Sequence, residues 1–285
     1  MFLQKSFFDK KLFAIAASAI LVLAACGAEP SDSPSNSSAS PTPTVTDPIE
    51  TQVVEVFYVA DTPKGFRLFS EARIVPFTND SGEQVLSDLV SGALQPLDPN
   101  YTNLWGSPNE LLNLTATSEL ITVDLADISL SVGAEAESRA IEQLVWTITG
   151  IVGDMPVQFL VDGVAVESFA GHVETTFPFE REAGYKVLND VQIQVPASNE
   201  VLINPVLING FACTFEANVA WELLQDGVRV DGGSVLAMEA CPTRSAFEIE
   251  LSTLDPGNYT IRVMEFSAKD GSLSSEDTRT FSVEE

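Results

Sequence analysis

The stretch AEAESRAIEQLVWTITGIVGDMPVQFLVDG, residues 134–163, decides the fold class because it joins a helix to a strand and a tight turn. Apolar residues recur every three or four positions over residues 134–152, which predicts a helix with one buried face. These residues are Ile141, Leu144, Val145 and Ile148. The run Val157–Val161 is rich in β-branched and aromatic residues and predicts a strand. Asp162-Gly163 suits a two-residue hairpin turn, so we expect residues 164–169 to run back as a second strand.

The same two patterns alternate between this stretch and the N-terminus. Two strand patterns, residues 53–59 and 66–77, precede a helical pattern over residues 85–94. Two further strand patterns, residues 112–116 and 119–125, lead into the helix already described. The order is therefore ββα, ββα, ββ. It predicts an α+β fold in which two helices cover one face of a sheet.

Beyond residue 182 the helical periodicity disappears, and short strand patterns alternate with turn residues. The predicted strands cover residues 191–195, 206–213, 219–224, 234–238, 247–251, 259–266 and 278–283. About seven short strands at this spacing indicate an all-β sandwich. Trp221 alternates with polar neighbours, so we expect its side chain in the core of that sandwich.

The N-terminus predicts where the protein is found. A basic start and an uncharged apolar run end at Leu23-Ala24-Ala25-Cys26, which is the pattern of a secretory signal. These four residues resemble the lipobox of bacterial lipoproteins, which implies that Cys26 is lipidated and begins the mature chain. We therefore predict a lipoprotein signal peptide at residues 1–25 and an extracytoplasmic protein held to the cell membrane by its lipid. The alternative is an ordinary secretory signal with a chance cysteine.

Residues 26–50 have the composition of a linker. Ser, Pro, Thr, Ala and Asn dominate this segment, and large apolar side chains are scarce. Such a composition cannot bury enough apolar surface to form a core. We expect a disordered tether between the lipid anchor and the folded part.

The charge balance excludes one class of partner. The chain has 14 Lys and Arg against 41 Asp and Glu, a formal net charge of −27. Proteins that bind nucleic acid neutralise phosphates with clusters of basic side chains. Nucleic acid is therefore excluded as a partner, and we interpret the acidity as a source of solubility.

Two cysteines remain if Cys26 is lipidated, namely Cys213 and Cys241. An even pair in an exported protein predicts a disulfide, with two unpaired buried thiols as the alternative. A metal site built on this pair is disfavoured. The chain has a single histidine, His172, and no CxxC spacing.

Catalytic motifs are missing from the sequence. Any serine or cysteine triad would have to use His172, which we expect to be an exposed turn residue. No GxSxG, HExxH, P-loop or GxGxxG context occurs, and the acidic stretches lack the spacing of a calcium loop. We predict that the protein is not an enzyme and has no catalytic residue, cofactor or metal site. A weak surface calcium site is the remaining alternative.

Both halves resemble known families. Residues 121–125, 143–149 and 157–163 are similar to a strand, a helix and a hairpin of the GerMN domain of bacterial sporulation and germination lipoproteins. The resemblance assigns a GerMN domain to residues 51–182. Residues 189–285 resemble the immunoglobulin-like domain that accompanies GerMN in many such proteins. The similar stretches there are Ile203-Asn204-Pro205, residues 209–212, residues 215–217 and Lys269-Asp270-Gly271.

The resemblance implies a non-catalytic module outside the membrane. GerMN domains resemble the ring-building folds of envelope assemblies, and some lipoproteins with this domain assist a sensor kinase. No functional residue is implied, because the matching motifs are core and turn positions. Gln143 is expected in solvent or at an edge.

The sequence hypothesis is therefore a lipid-anchored protein-interaction or assembly module of the cell envelope. Its partners would be the membrane, through the lipid, and envelope proteins such as a sensor kinase or a ring-forming assembly. The alternative is a lipoprotein that binds cell-wall glycan or peptide through exposed aromatic side chains such as Trp105.

Overall fold

A long antiparallel ribbon begins the folded part of the chain. The computed structural model describes residues 50–106, 109–126, 128 and 130–284, which belong to one compact unit. Strand β1 (Thr51–Thr62) pairs with β2 (Gly65–Pro76) along its whole length. One face of this ribbon packs into a first hydrophobic core, to which it contributes Val54, Val56, Tyr58 and Phe69.

The other elements of the first half form a separate three-stranded sheet with its helices. In chain order they are α1 (Ser81–Val90), β3 (Glu110–Ala116), β4 (Ile121–Ala126), α2 (Ala134–Val152), β5 (Val157–Val161) and the short α3 (Gly184–Val187). β3 pairs antiparallel with β4, and β4 pairs parallel with β5, so α2 is the crossover between parallel strands. The α+β class is confirmed, and the ribbon forms a two-stranded sheet separate from the sheet β3-β4-β5.

Helix α2 spans the residues that its periodicity predicts. Ile141, Leu144, Val145 and Ile148 are almost completely buried in the first core. Burying each such side chain stabilises the fold by roughly 1.5–3 kcal/mol. The helix also holds the ribbon directly, since the hydroxyl Oγ1 of Thr147 accepts a hydrogen bond from the backbone N–H of Phe57 at 3.1 Å.

The hairpin turn after β5 forms, but the returning strand does not. Asp162 and Gly163 both have positive φ angles, and Val161 pairs with Val164 across the turn. Residues 165–178 contain no strand, so the prediction for residues 164–169 is wrong. The backbone of this loop donates hydrogen bonds to a side chain of α2, described below, rather than to a neighbouring strand.

The second half forms a β-sandwich, as predicted. Its strands are β6 (Val191–Val195), β7 (Glu200–Ile203), β8 (Leu207–Ala212), β9 (Asn218–Gln225), β10 (Val228–Leu236), β11 (Ser245–Glu250), β12 (Gly257–Phe266) and β13 (Leu273–Glu284). A five-stranded sheet of order β10-β9-β12-β13-β7 faces a three-stranded sheet of order β11-β8-β6. A second hydrophobic core contains side chains of both sheets. β7 was not predicted from the sequence, because its four residues show no regular alternation of buried and exposed positions.

Two local features stabilise the sandwich. Cys213 and Cys241 are joined by a disulfide with a sequence separation of 28 residues, which stabilises the fold by roughly 3–4 kcal/mol on the chain-entropy account. Gly210 lies within β8 rather than in a turn. A Cβ atom at this position would overlap the carbonyl oxygen of Gln192 on the paired strand, so close strand packing requires glycine here.

Candidate interaction surface

The free end of the ribbon, residues 51–55 and 72–77, carries an exposed apolar surface that we call the ribbon tip. Val53 lies directly opposite Ile74 in the antiparallel register, so both side chains point to the same face. Val53 is 68% exposed, Ile74 is 76% exposed and the neighbouring Phe77 is 62% exposed. Single exposed apolar residues are ordinary on protein surfaces, whereas an adjacent group is typical of a contact site.

The backbone of β1 at the ribbon tip is unpaired on its outer side. In an antiparallel ribbon, alternate residues direct their N–H and C=O groups away from the partner strand. Val59 is one of these residues, because its N–H and C=O groups bond to Thr102 on the outer side of β1, at 2.9 and 2.7 Å. By the same alternation the outward groups of Thr51, Val53 and Glu55 face away from β2. Within the described residues, none of these outward groups has a hydrogen-bond partner.

Four other outer strands carry features that discourage pairing with a second chain. Charged side chains, proline, bulges and shortness all protect strand edges. β3 and β10 have bulges, between Leu111 and Asn113 and between Arg229 and Asp231 respectively. β7 has four residues, and β2 ends at Pro76. The edge of β1 at residues 51–55 lacks a bulge, a proline and a lysine, although it has Glu55.

A buried ionic cluster joins the two halves of the fold. The Nη1 atom of Arg279 lies 2.8 Å from Oδ2 of Asp98 and 2.9 Å from Oδ1 of Asp277. Its Nη2 atom donates a hydrogen bond of 2.6 Å to the hydroxyl of Tyr101. All four side chains are buried. Because Asp98 and Tyr101 belong to the first half and the other two to β13, this cluster holds both halves together.

Further polar contacts extend the same junction. The side-chain amide of Gln192 bonds to both the N–H and the C=O of Ser70 on β2. Lys64, in the turn of the ribbon, lies 2.5 Å from a carboxylate oxygen of Asp190. The ribbon tip is therefore one end of a ribbon whose other end contacts the sandwich through these polar side chains.

The single histidine takes part in a structural arrangement rather than a triad. The buried carboxylate of Glu137 accepts hydrogen bonds from the backbone N–H groups of Phe169, Ala170, His172 and Val173 at 2.7–3.2 Å. It also accepts one from the Ser168 hydroxyl at 2.8 Å, and Nδ1 of His172 lies 3.1 Å away. A serine nucleophile would have to bond to the imidazole. Here Ser168 bonds to the carboxylate, so the arrangement organises residues 168–173.

Two sequence expectations about individual side chains are wrong. Trp105, expected to be exposed, is fully buried, and its Nε1 atom donates a hydrogen bond of 2.8 Å to the carbonyl oxygen of Ala140. Gln143, expected at an edge or in solvent, is also fully buried. Its side chain bonds to the N–H of Leu104 and to Oδ1 of Asn103. Both residues hold the loop after α1 against α2.

The other predicted site residues are placed as follows. Cys26 and the segment 26–49 lie outside the described residues. The described part of the chain contains no group of three or more His, Cys, Asp or Glu side chains that could hold a metal ion. No helix in the described ranges is long and apolar enough to cross a membrane. Trp221 is partly buried and packs against the second core.

Family models match both halves of the chain. Residues 55–167 match a family described as sporulation and spore germination. Residues 190–272 match the immunoglobulin-like domain of bacterial spore germination. The chain carries both of these germination domains. The finer boundaries at residues 51–182 and 189–285 stay predictions.

Solved structures match this chain only weakly. The first GerMN domain of the sporulation protein GerM from Bacillus subtilis is 17% identical over 46% of this chain and 98% of that one, with a TM-score of 0.37. The tandem GerMN domains of the same protein are 14% identical over 70% of this chain and 62% of that one, with a TM-score of 0.36. A Clostridium perfringens protein described as a lipoprotein is 17% identical over 48% of this chain and 93% of that one, with a TM-score of 0.34. No curated protein matches the chain. Since every one of these TM-scores is below 0.5, no conclusion rests on these structures.

Glu142 of the first germination domain makes the stability of the protein depend on pH. Burial, followed by the nearby charge of Glu182, raises the pKa of Glu142 from 4.5 to about 7. Its Oε2 atom has no hydrogen-bond partner among the described residues. A carboxyl whose pKa is raised on folding favours the folded state below pH 4.5. That contribution is lost as the pH rises through 7.

We therefore expect Glu142→Gln to be more stable than the wild type at pH 8, by at most about 3 kcal/mol, and to differ little at pH 5. The reason is that the amide carries no charge to bury at high pH. Urea unfolding at the two pH values measures the difference. Glu248→Gln, on an exposed position of β11, is the matched control. A Glu142→Gln variant that keeps the wild-type change between pH 5 and pH 8 would contradict the assignment.

Proposed function

We propose that the protein is a lipid-anchored, extracytoplasmic and non-catalytic module that binds other proteins of the cell envelope, in the manner of a sporulation or germination component. The observation that carries this proposal is the ribbon tip. Val53 and Ile74 form an exposed apolar pair on one face of a ribbon that begins where the predicted tether ends, and the exposed Phe77 directly follows that ribbon. The family matches to both germination domains support the same class of function.

Three features suit this surface to protein binding. Val53 and Ile74 lie on a regular ribbon, so their spacing is set by the strand register. The buried cluster around Arg279 joins the two halves, so a partner at the tip would meet a preorganised surface. The net charge of −27 suppresses unspecific association with other acidic proteins. Partners in keeping with the family are a sensor kinase or a ring-forming assembly.

Binding of cell-wall glycan is not carried forward as a second candidate. That hypothesis depended on exposed aromatic side chains such as Trp105. Because Trp105 is buried and its indole nitrogen is hydrogen-bonded, it presents no surface on which a sugar ring could stack.

The test is in-cell crosslinking of the tagged full chain, followed by membrane extraction and mass spectrometry of the attached proteins. We expect Ile74→Lys to reduce recovery of the attached envelope proteins at least tenfold, because a charge would have to be desolvated in an apolar contact. Val228→Lys is the control, since Val228 is similarly exposed at 66% and lies on β10 of the sandwich. Thermal unfolding checks that both variants are folded. Equal recovery with Ile74→Lys and wild type would overturn the proposal.

A further inference from the structure

The unpaired edge of β1 points to a specific mode of self-association. We propose that two copies of this chain pair through residues 51–55 of β1, antiparallel, to form a continuous four-stranded sheet β2-β1-β1-β2. The observation that carries this inference is the set of outward N–H and C=O groups on Thr51, Val53 and Glu55. These groups have no partner in the described part of the chain. Unpaired backbone groups on a strand edge are a template for a second strand.

The register of the pairing follows from the positions of the free groups. Beyond Glu55, the outward N–H of Phe57 is already bonded to Thr147, so the free edge ends there. A two-fold axis at Val53 places Val53 opposite its own copy and Thr51 opposite Glu55. This register uses all three outward residues of each copy and forms six inter-chain hydrogen bonds by the antiparallel pattern. A two-fold axis at Glu55 would instead place two carboxylates opposite each other, which is unfavourable.

The side chains of the ribbon tip are compatible with this register. Val53 would lie beside Val53 of the second copy, and each is already opposite Ile74 in its own ribbon. The paired sheet therefore carries an uninterrupted row of four β-branched side chains across its centre. Cross-strand pairs of this kind each contribute roughly 0.2–1 kcal/mol relative to alanine pairs.

The self-complementary register about Val53 favours a second copy, and the predicted tether is compatible with it. This step rests on the proposed anchoring by Cys26. In the paired register the two Thr51 residues are offset by four residues, which is about 13 Å along a strand. A linker with the length and composition of residues 26–50 would span roughly 25–30 Å, which would let both copies reach one membrane. Confinement to a membrane raises the effective concentration of each copy for the other.

The negative charge of each copy opposes the pairing, so the stability of the dimer depends on the salt concentration. Each copy has a formal net charge of −27, so two copies repel each other at low ionic strength. At physiological salt the Debye length is about 8 Å, which screens repulsion between exposed charges that are further apart. Pairing should therefore strengthen as salt is raised, unlike association through opposite charges.

Cysteine crosslinking in membranes of cells that make the full chain tests the register. Val53→Cys should form a covalent dimer after mild oxidation, because a hydrogen-bonded antiparallel pair has a Cα separation of about 5.5 Å, within disulfide range. We expect most of the Val53→Cys protein to run as a dimer on a non-reducing gel. Val228→Cys, with nearly the same exposure, should stay mainly monomeric. The native cysteines 213 and 241 are already bonded to each other.

Two further variants distinguish antiparallel pairing from random collision. Thr51→Cys alone should crosslink poorly, whereas Thr51→Cys expressed together with Glu55→Cys should crosslink efficiently. Val53→Cys that crosslinks no more than Val228→Cys would overturn the inference, as would efficient crosslinking of Thr51→Cys with itself. The outcome is separable from that of the proposed function. Loss of partner recovery in Ile74→Lys concerns the apolar face, and dimer formation by Val53→Cys concerns the strand edge.

Discussion

Replacing Arg279 by methionine is expected to lower the free energy of unfolding by about 3–5 kcal/mol. The substitution leaves the carboxylates of Asp98 and Asp277 buried without their shared cation. It also removes the hydrogen bond to the hydroxyl of Tyr101. Breaking a buried ion pair from one side is costly because the remaining charge cannot be hydrated. Urea unfolding at pH 7 measures the loss.

A matched substitution separates this effect from the general loss of an arginine. Arg229→Met changes an exposed arginine on β10 and should alter the free energy of unfolding by less than about 0.5 kcal/mol. Adding Asp277→Asn to Arg279→Met should recover part of the stability, because one uncompensated charge disappears. If Arg279→Met were as stable as Arg229→Met, the cluster would not be holding the two halves together.

Glu137→Gln is expected to lower the free energy of unfolding by about 3 kcal/mol, with the damage confined to residues 168–173. The glutamine amide would place two N–H donors where one carboxylate oxygen now accepts hydrogen bonds from backbone N–H groups. Hydrogen exchange at Ala170 and His172 should become faster than in the wild type. Glu167→Gln, at an exposed position just before the loop, is the control.

The same carboxylate has a pH dependence of opposite sign to that of Glu142. Burial raises the pKa of Glu137, but hydrogen bonds from Ala170, Ser168 and His172 outweigh it, so the pKa lies below 4.5. A carboxyl whose pKa is lowered on folding stabilises the protein above its unfolded pKa. That stability is lost as the pH falls through the folded value. Glu137→Gln should therefore lose less stability than the wild type on acidification below pH 4.5, and an unchanged acid transition would contradict this.

Local sequence patterns were sufficient for elements whose burial repeats with a regular period. Helix α2 has the bounds that its apolar spacing predicts, because four residues on one face are buried together. The strand expected over residues 164–169 failed for a non-local reason. Its backbone groups bond to Glu137, about 30 residues earlier, and no pattern within the loop reveals that partner.

The candidate surface was only partly accessible to sequence reasoning. The strand over residues 53–59 was predicted, but the exposure of Val53 depends on its pairing with Ile74 and on where α2 stops covering the ribbon. Trp105 shows the converse. Its large aromatic side chain in a loop indicated exposure, whereas its indole nitrogen has a partner on α2 that only the folded chain brings near. Tertiary contacts decide exposure in both cases.

The junction around Arg279 also bears on the order in which the polypeptide completes its structure. Tyr101 and Arg279 are 178 residues apart, so the partner of the early residue is synthesised much later. Until β13 has been synthesised, Asp98 and Tyr101 lack the guanidinium of Arg279. The first germination domain therefore reaches its final state only after the sandwich has been synthesised, and a chain stalled before residue 279 would present an unfinished surface to proteases.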